Sequence, residues 1–380
     1  MPGPIDDVIA QMPPGSWKEL SNTHMADVCP LPYDHYWCGA VMGAWSGAAF
    51  DTVRDRLVVH GGGHADSYYN NVFAFDLASM TWQRMTELPA GLNGNTYPPA
   101  VYQDKRIETC GLYPSGSTLT IPDAWLTATG YLSYDKCDDP SIAPQLDPQQ
   151  PRSRHTYGNV AFSAATGKFY LLGATGLWQS GQTGTSRVMA FDFESKQWSR
   201  AADNPVAEYG ASAADENGHI WYAGNHSLME FDPVANTWTP RNSDALGWYY
   251  AGADIDPKRH TLVFTADGLT LYTYAIAQAG APVTTVKTTG ITAPIGNATG
   301  LAYDPVLDRF VAWSGGPVVY FLDPQTWHVT AVTGTGDVPT PGALNGTFGR
   351  FRYSPARNVF IAVNATEEDV FIYKPPTAAP

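Results

Sequence analysis

Short apolar runs separated by polar turns recur along the chain, and residues 45–85 show the pattern most completely. A run of small apolar residues leads to a polar turn at 51–56, and a β-branched run then ends in the glycines at 61–63. A third run ends at Asp76, and a fourth carries Trp82. Short β-branched and aromatic runs bounded by turn residues predict four consecutive β-strands.

Six such units follow one another along the chain, and the last of them is incomplete. The shared markers are an aspartate that ends the third run and a tryptophan in the fourth: Asp76 and Trp82, Asp192 and Trp198, Asp232 and Trp238, Asp323 and Trp327. The fourth unit lacks the tryptophan, and the sixth stops before any fourth run. Internal repeats of roughly 40–50 residues with four strands each are typical of β-propeller blades.

The fourth strand missing from the sixth unit has a candidate at the other end of the chain. The segment "GSWKELSN" carries Trp17 and belongs to no unit of its own, so we predict that it supplies the outer strand of the last blade and closes the ring. The predicted fold class is therefore an all-β propeller of six four-stranded blades. Seven blades are the alternative if residues 90–150 hide another unit. We interpret residues 90–150 as a long loop insertion within a single domain that spans residues 1–380.

The repeats resemble those of kelch and galactose-oxidase-type propellers, whose second strand ends in Gly-Gly. "HGGGH" at 60–64 and "WSGGP" at 313–317 carry this resemblance most clearly. It implies the fold and no particular function. The glycines at 61–63 then end an inner strand, and a phosphate loop is disfavoured because the chain has no GxxxxGK[ST] motif.

Composition and net charge limit the classes of partner that this protein can bind. The chain of 380 residues is 44% apolar and only 15% charged, which suits many short strands joined by tight turns. A net charge of −14 without a basic run argues against nucleic acid. No stretch approaches 18 apolar residues, so we expect no membrane span. We expect a monomer.

The four cysteines predict an oxidising compartment. They lie in loop-like sequence without a CxxC motif, and the simplest pairing is Cys29–Cys38 and Cys110–Cys137. Sequons at Asn225, Asn297, Asn345 and Asn364 fit the same interpretation. We expect a secreted or periplasmic protein, although the first residues as given have no signal-peptide pattern.

Propeller topology predicts which residues converge at the central channel that the blades surround. The loop before the first strand of a blade and the loop between its second and third strands open on one face, at one mouth of this channel. The residues that this rule brings to one mouth of the channel are His64, Asp66, Tyr69, Asn70, Arg152, Arg154, His155, Tyr157, Tyr209, His226, Trp248, Tyr249 and Arg350. Aromatic residues recur where first strands begin, at Trp45, Tyr157, Tyr209, Tyr250 and Phe348. They either plug the channel or form a platform for sugar rings.

Three hypotheses follow for this mouth, and the first is a polysaccharide lyase. Breaking a uronate polymer by β-elimination needs a base, an acid and a group that neutralises the carboxylate. "RSRHTYGN" at 152–159 supplies Arg154, His155 and Tyr157 for these roles, with His64 opposite. The other mouth residues would bind a carbohydrate polymer or oligosaccharide. In fold and residue types this is similar to propeller-fold uronate lyases such as the ulvan lyases.

The second hypothesis is a metal enzyme in which His64, His155 and His226 hold a divalent cation, zinc or calcium. A copper radical oxidase is disfavoured because the chain has no Tyr-His dipeptide. The third is a propeller that binds glycans or proteins without catalysis. Among the remaining histidines, His60 lies in an apolar strand and is interpreted as structural, whereas His219, His260 and His328 are expected away from this mouth.

Overall fold

Six antiparallel sheets arranged like propeller blades dominate the computed structural model. It describes residues 3–92, 99–115, 119–174, 176–178, 184–206, 209–224, 227–243, 250–265, 270–291 and 298–380. Five of the sheets have four strands, which follow one another in chain order across the sheet. Sheet I comprises Ala48–Asp51, Arg56–Val59, Phe73–Asp76 and Thr81–Arg84; sheet II comprises Val160–Ser163, Lys168–Ala174, Thr185–Asp192 and Gln197–Arg200; sheet III comprises Gly210–Ala214, Ile220–Gly224, Leu228–Asp232 and Thr237–Asn242; sheet IV comprises Ala253–Asp256, Thr261–Thr265, Thr270–Ala275 and Thr284–Lys287; sheet V comprises Gly300–Asp304, Arg309–Trp313, Val318–Leu322 and Val329–Thr333.

Sheet VI joins the two ends of the chain. Its strands Phe351–Ser354, Val359–Ala362 and Val370–Lys374 pair in chain order. Ser16–Leu20 then adds to Val370–Lys374 in antiparallel fashion, with Trp17 opposite Tyr373. The short strand Thr335–Gly336 pairs with the far side of Ser16–Leu20. The strand predicted around Trp17 is therefore the fourth strand of the last sheet, and the two-residue strand Thr335–Gly336 lies outside it.

The first strands of the sheets lie at the centre of the arrangement. The first strand of each sheet from I to V contacts the first strand of the next sheet, and that of sheet VI also contacts that of sheet I. Apolar clusters fill the spaces between neighbouring sheets. The all-β, propeller-like arrangement agrees with the sequence prediction.

The aspartates that end strands build the turns. Asp192 Oδ1 accepts hydrogen bonds from the backbone N–H groups of Glu194 and Ser195, at 2.9 and 3.0 Å. Asp232 and Asp323 make the same pair of bonds to the residues that follow them. A carboxylate that caps its own turn in this way favours a tight reversal, which explains why the aspartates recur at this point of the repeat.

Helices are short. The α-helices are Pro4–Gln11 and His35–Gly43, and the 3₁₀ helices are Met25–Val28, Ala100–Gln103, Lys105–Cys110, Asp123–Trp125, Tyr134–Lys136, Ala143–Gln145 and Phe348–Arg350. Proline begins the first α-helix, and the Asp34 side chain caps the second by accepting from the N–H of Trp37. In the described part of the chain, no helix is long and apolar enough to cross a membrane.

The described part of the insertion at residues 90–150 packs beside sheets I and II. Leu112–Pro114 and Leu146–Pro151 form a two-stranded sheet, and the latter strand contacts the outer strand of sheet II. A disulfide between Cys110 and Cys137 crosslinks this region. The second disulfide joins Cys29 and Cys38, so both predicted pairings are present, as expected for an extracellular or periplasmic protein.

Candidate functional site

Aromatic side chains converge where the first strands begin. Tyr157 is the hub, because its ring lies 4.9 Å from that of Tyr209, 5.3 Å from Tyr250 and 5.7 Å from Phe348. Only 3% of Tyr157 and 0% of Phe348 are exposed. The rings therefore pack on one another at this end of the central channel.

Most of the aromatic residues where first strands begin share an unusual backbone conformation. Trp45, Tyr157, Tyr250 and Phe348 have φ angles of 49°, 46°, 64° and 46°. This left-handed region is sterically costly for bulky residues, by roughly 1–3 kcal/mol each. Its repetition at equivalent positions of four sheets shows that the surrounding packing imposes it.

His155 links this aromatic cluster to the loop between the second and third strands of sheet I. Its Nε2 lies 2.8 Å from Oδ2 of Asp66, and its Nδ1 lies 3.2 Å from the hydroxyl of Tyr157. A carboxylate can only accept, so in the neutral imidazole Nε2 carries the proton and Nδ1 is the acceptor that faces the hydroxyl of Tyr157. The three residues form a continuous hydrogen-bonded chain, which we call the Asp66–His155–Tyr157 relay. Its histidine is 6% exposed, and the aspartate side chain is 34% exposed.

A second imidazole lies beside the relay. The ring of His64 is 5.7 Å from that of His155, and the side chain is half-buried. One carbonyl oxygen, that of Gly176, accepts from the backbone N–H groups of both His64 and His155, at 2.9 and 3.1 Å. This shared acceptor holds the two histidine segments against each other.

Glycines make this approach possible. A Cβ atom at Gly63, where φ is +88°, would lie 2.5 Å from the Cα of Arg154, and one at Gly176 would lie 2.7 Å from Nδ1 of His155. Neither position has room for a side chain. The glycine run after the second strand of sheet I thus allows the backbone of sheet I to reach the segment that leads into sheet II.

The three predicted arginines are fully buried and bind backbone carbonyl groups. Arg154 donates to the carbonyls of Arg152 and Gly111. Arg152 donates to those of Tyr102 and Asp104. Burial lowers the pKa of Arg154 to about 9. Neither guanidinium forms a hydrogen bond with His64 or His155 among the contacts of the described residues.

Arg350 behaves in the same way at the start of sheet VI. Its guanidinium donates to the carbonyls of Asn364 and Gly346, and burial lowers its pKa to about 10. All three arginines therefore hold loops together, and their side chains turn away from the relay although their segments lead to the mouth.

The other predicted mouth residues occupy varied places. Asn70 is buried and donates to the carbonyl of Pro151 at 2.9 Å, while Tyr69 packs edge-on against Tyr68. His226, Trp248 and Tyr249 lie outside the described residues, as do the sequons at Asn225 and Asn297. The predicted zinc or calcium site at His64, His155 and His226 therefore stays a prediction.

Within the described residues, one cluster has the spacing of metal ligands, and it lies in sheet III. Ligand atoms of Asp215, His219 and Glu230 are all within 4.8 Å of one another. Burial opposes protonation of His219, but its hydrogen bond to Glu230 and the charge of Asp215 raise its pKa overall. Arg241 already neutralises Glu230, so a cation would have to compete with a guanidinium.

His60 is buried between sheets I and II, as its structural interpretation predicted. It is 0% exposed, and its ring lies 5.9 Å from that of Trp198. Among the described residues, neither ring nitrogen has a hydrogen-bond partner. Burial, assisted by the charge of Arg154, lowers its pKa from 6.5 to about 3.

This buried imidazole should make the protein acid-sensitive. Below about pH 6.5 the unfolded chain binds a proton at His60 and the folded chain does not. The contribution of His60 to the free energy of unfolding is therefore fully present above pH 6.5 and is lost as the pH drops toward about 3. The expected slope is about 1.4 kcal/mol per pH unit. Urea unfolding of the wild type and of His60→Leu between pH 7 and pH 4 should show a shallower pH dependence in the variant. Equal pH dependence in the two proteins would contradict the assignment, and His328→Leu, at an exposed position, is the control.

Chemically, the arrangement offers a carboxylate, an imidazole and a phenol joined by hydrogen bonds, with a second imidazole beside them, which is a set suited to proton transfer. No family model matches the chain, and no curated protein matches it significantly.

Proposed function

We propose that this protein is a secreted polysaccharide lyase that cleaves a uronate-containing glycan by β-elimination. The observation that carries the proposal is the Asp66–His155–Tyr157 relay, with contacts of 2.8 and 3.2 Å. Such a relay lets a phenol give up and regain a proton, which is what an elimination reaction asks of its acid–base group.

The fold part of the proposal is a closed ring of six kelch-like blades. It is supported by the contact between the first strands of sheets VI and I and by the pairing of Trp17 with Tyr373. A closed ring fixes the loop of sheet I beside the segment that leads into sheet II. The relay depends on this placement because it joins these two segments.

In the proposed step, the Tyr157 oxygen removes the C5 proton of the uronate while its own proton moves to Nδ1 of His155. The electrons of the C5–H bond form the C4=C5 double bond, and the C4–O4 bond breaks. The proton returns from His155 through Tyr157 to O4, so the enzyme ends in its starting state. Asp66, which bonds Nε2 of His155, stabilises the transient imidazolium.

The substrate carboxylate must be neutralised before C5 becomes acidic. Arg154 is committed to backbone carbonyls, so we assign this role to His64, whose ring lies beside His155. Charge neutralisation next to a reacting centre is among the strongest contributions to catalysis.

An exposed aromatic side chain beside the relay favours a carbohydrate substrate. Tyr36 is 58% exposed, and its hydroxyl donates to the carbonyl of Ala65, which lies between His64 and Asp66. Its ring packs edge-on against that of Trp37 at 4.7 Å. Aromatic rings at a wet rim are suited to stack against sugar rings.

A second candidate function is glycan binding without catalysis. The observation that favours it is the low exposure of Tyr157 and His155, at 3% and 6%. In this alternative the relay stiffens the mouth, and the exposed aromatics hold the glycan.

The test follows ultraviolet absorbance and reducing ends together while the protein is offered a panel of uronate polysaccharides, with and without a chelator. Rising absorbance with new reducing ends supports the lyase, because β-elimination produces a conjugated unsaturated uronate. Reducing ends without absorbance would replace it with a hydrolase. No change in either signal, with retention of the protein on an immobilised glycan, would favour the binding function. Loss of activity with chelator would revive the metal hypothesis.

A further inference from the structure

The channel opens on the face opposite the aromatic cluster into a cavity of about 260 Å³. Residues from the first strands of all six sheets, and from the turns that follow them, line this cavity. It is therefore centred on the axis and separate from the relay. Its volume lies just below the usual range for drug-sized ligands, so it suits a small molecule.

Two charged side chains stand where the other sheets have alanine. At equivalent positions of the first strands, sheets I, II, III and V carry Ala49, Ala161, Ala213 and Ala302. Sheet IV carries Asp254 and sheet VI carries Arg352, and both line the cavity. Charged groups so near the axis are costly to desolvate, so their presence at two of six equivalent positions asks for an explanation.

Part of the explanation is structural. The Arg352 guanidinium donates to the carbonyls of Ala253, Leu301 and Ala48, at 3.2, 3.3 and 3.4 Å. These carbonyls belong to sheets IV, V and I, so one side chain serves three inner strand edges. The bonds are long for a charged donor, and the guanidinium retains capacity for a stronger acceptor.

Asp254 complements this donor. Its carboxylate accepts from the backbone N–H of Tyr303 at 2.7 Å and from that of Ile255 at 2.9 Å. Each carboxylate oxygen has room for a further donor. Burial raises the pKa of Asp254 and lowers that of Arg352, while the attraction between the two opposes both shifts. A ligand that offers donors to Asp254 and acceptors to Arg352 would relieve this desolvation.

Aromatic rings complete the walls. Phe50, Phe162, Tyr303 and Tyr353 line the cavity, and each keeps between 5% and 9% of its surface exposed. A second carboxylate, that of Asp215, also lines the cavity, but it already accepts from the N–H groups of Asn217 and His219 and from Nε1 of Trp221. Flat apolar faces beside the carboxylate of Asp254 and the guanidinium of Arg352 match the two surfaces of a pyranose, its C–H face and its hydroxyl edge. The opposite charges of Asp254 and Arg352 favour a neutral ligand.

We propose that this axial cavity binds one neutral monosaccharide, with Asp254 accepting from its hydroxyl groups, Arg352 donating to them, and the aromatic walls covering the sugar ring. The site is distinct from the proposed catalytic mouth and does not depend on it. A bound sugar would bridge inner strands of several sheets, so it would also stabilise the fold by mass action.

The test is calorimetric titration of the protein with glucose, galactose, mannose and xylose, together with the change in melting temperature at saturating sugar. We expect saturable binding of at least one sugar. Thr52→Trp, at an exposed rim position of the cavity, should weaken that binding at least tenfold without changing the melting temperature of the free protein. Val53→Trp places the same ring one residue away and outside the lining, and it should bind like the wild type.

No saturable binding of any of these sugars would overturn the proposal, and so would equal binding by Thr52→Trp and Val53→Trp. Preferential binding of glucuronate or of glycine would also overturn it, because the site would then select charge. The relay variant His155→Gln should bind the neutral sugar as the wild type does. Its loss of sugar binding would place the ligand at the mouth instead, whereas failure of the lyase assay would leave this result untouched.

Discussion

Replacing Tyr157 with Phe should lower kcat on the uronate substrate by at least about 100-fold while KM changes little. The substitution removes one oxygen and keeps the ring that packs against Tyr209, Tyr250 and Phe348. The aromatic cluster should therefore survive, and the missing function is the proton transfer through His155. Initial rates of ultraviolet absorbance at several substrate concentrations separate kcat from KM.

The relay also predicts how its other members behave. His155→Gln should produce a loss of similar size, because Gln cannot take a proton from Tyr157 and return it. Asp66→Asn should also lower kcat strongly, since the amide no longer stabilises the imidazolium and no longer fixes the tautomer of His155. Melting temperatures measured in parallel would identify a variant that fails only because it unfolds.

Two controls decide whether such losses are specific. Tyr250→Phe makes the same change within the same aromatic cluster, and it should retain most of the activity. His260→Ala changes a histidine in the turn between the first and second strands of sheet IV, and it should have no effect. Full activity in Tyr157→Phe would remove the relay from the mechanism, and inactivity in His260→Ala would mean that the chemistry lies on the opposite face.

Trp17→Ala should be the most destabilising single substitution considered for this protein, lowering the free energy of unfolding by about 3–5 kcal/mol. Trp17 is 1% exposed, and its ring lies 4.9 Å from Tyr373 and 5.5 Å from Trp313. Its Nε1 donates to the carbonyl of Pro317 at 3.1 Å. Truncation therefore removes a packed ring and a buried hydrogen bond where the chain ends meet.

Urea unfolding followed by tryptophan fluorescence and by circular dichroism would measure this loss. Lys18→Ala, on the same strand, is the matched control, because the exposed Lys18–Asp337 ion pair should contribute about 1 kcal/mol or less. A loss for Trp17→Ala no larger than that for Lys18→Ala would show that the N-terminal strand contributes little to the last sheet.

Local patterns in the sequence were enough to predict the strand order and the turns. The aspartate that ends a third strand, such as Asp192, caps its own turn through its nearest neighbours, so this information is local and readable. The unmatched Trp17 segment was assigned correctly to the last sheet, as the fourth strand beside Val370–Lys374, because a strand without a unit and a unit without a strand complete each other. The two-residue strand Thr335–Gly336 outside it was not predicted. The cysteine pairings followed from spacing in the same way.

The loop rule also brought Asp66, His64 and His155 to one mouth, although Asp66 and His155 are 89 residues apart. It could not say which way each side chain turns. Arg154 stands beside His155 in the chain, yet its guanidinium turns to the carbonyl of Gly111. Orientation at this level depends on which carbonyls the neighbouring loops leave unpaired, and no local pattern records that.

The axial cavity was likewise not predictable from local sequence patterns. Nothing in the sequence alone singled out Asp254 and Arg352. They stand out only when the six first strands are aligned around one axis, where the other sheets have alanine. By itself the sequence determined the repeat, the turns, the disulfides and the joining of the chain ends, because each depends on alternation, spacing or turn chemistry between near neighbours. The tertiary structure alone decided the relay contacts, the burial of the arginines and the charged pair at the axis, because these depend on distances between segments that are remote in the chain.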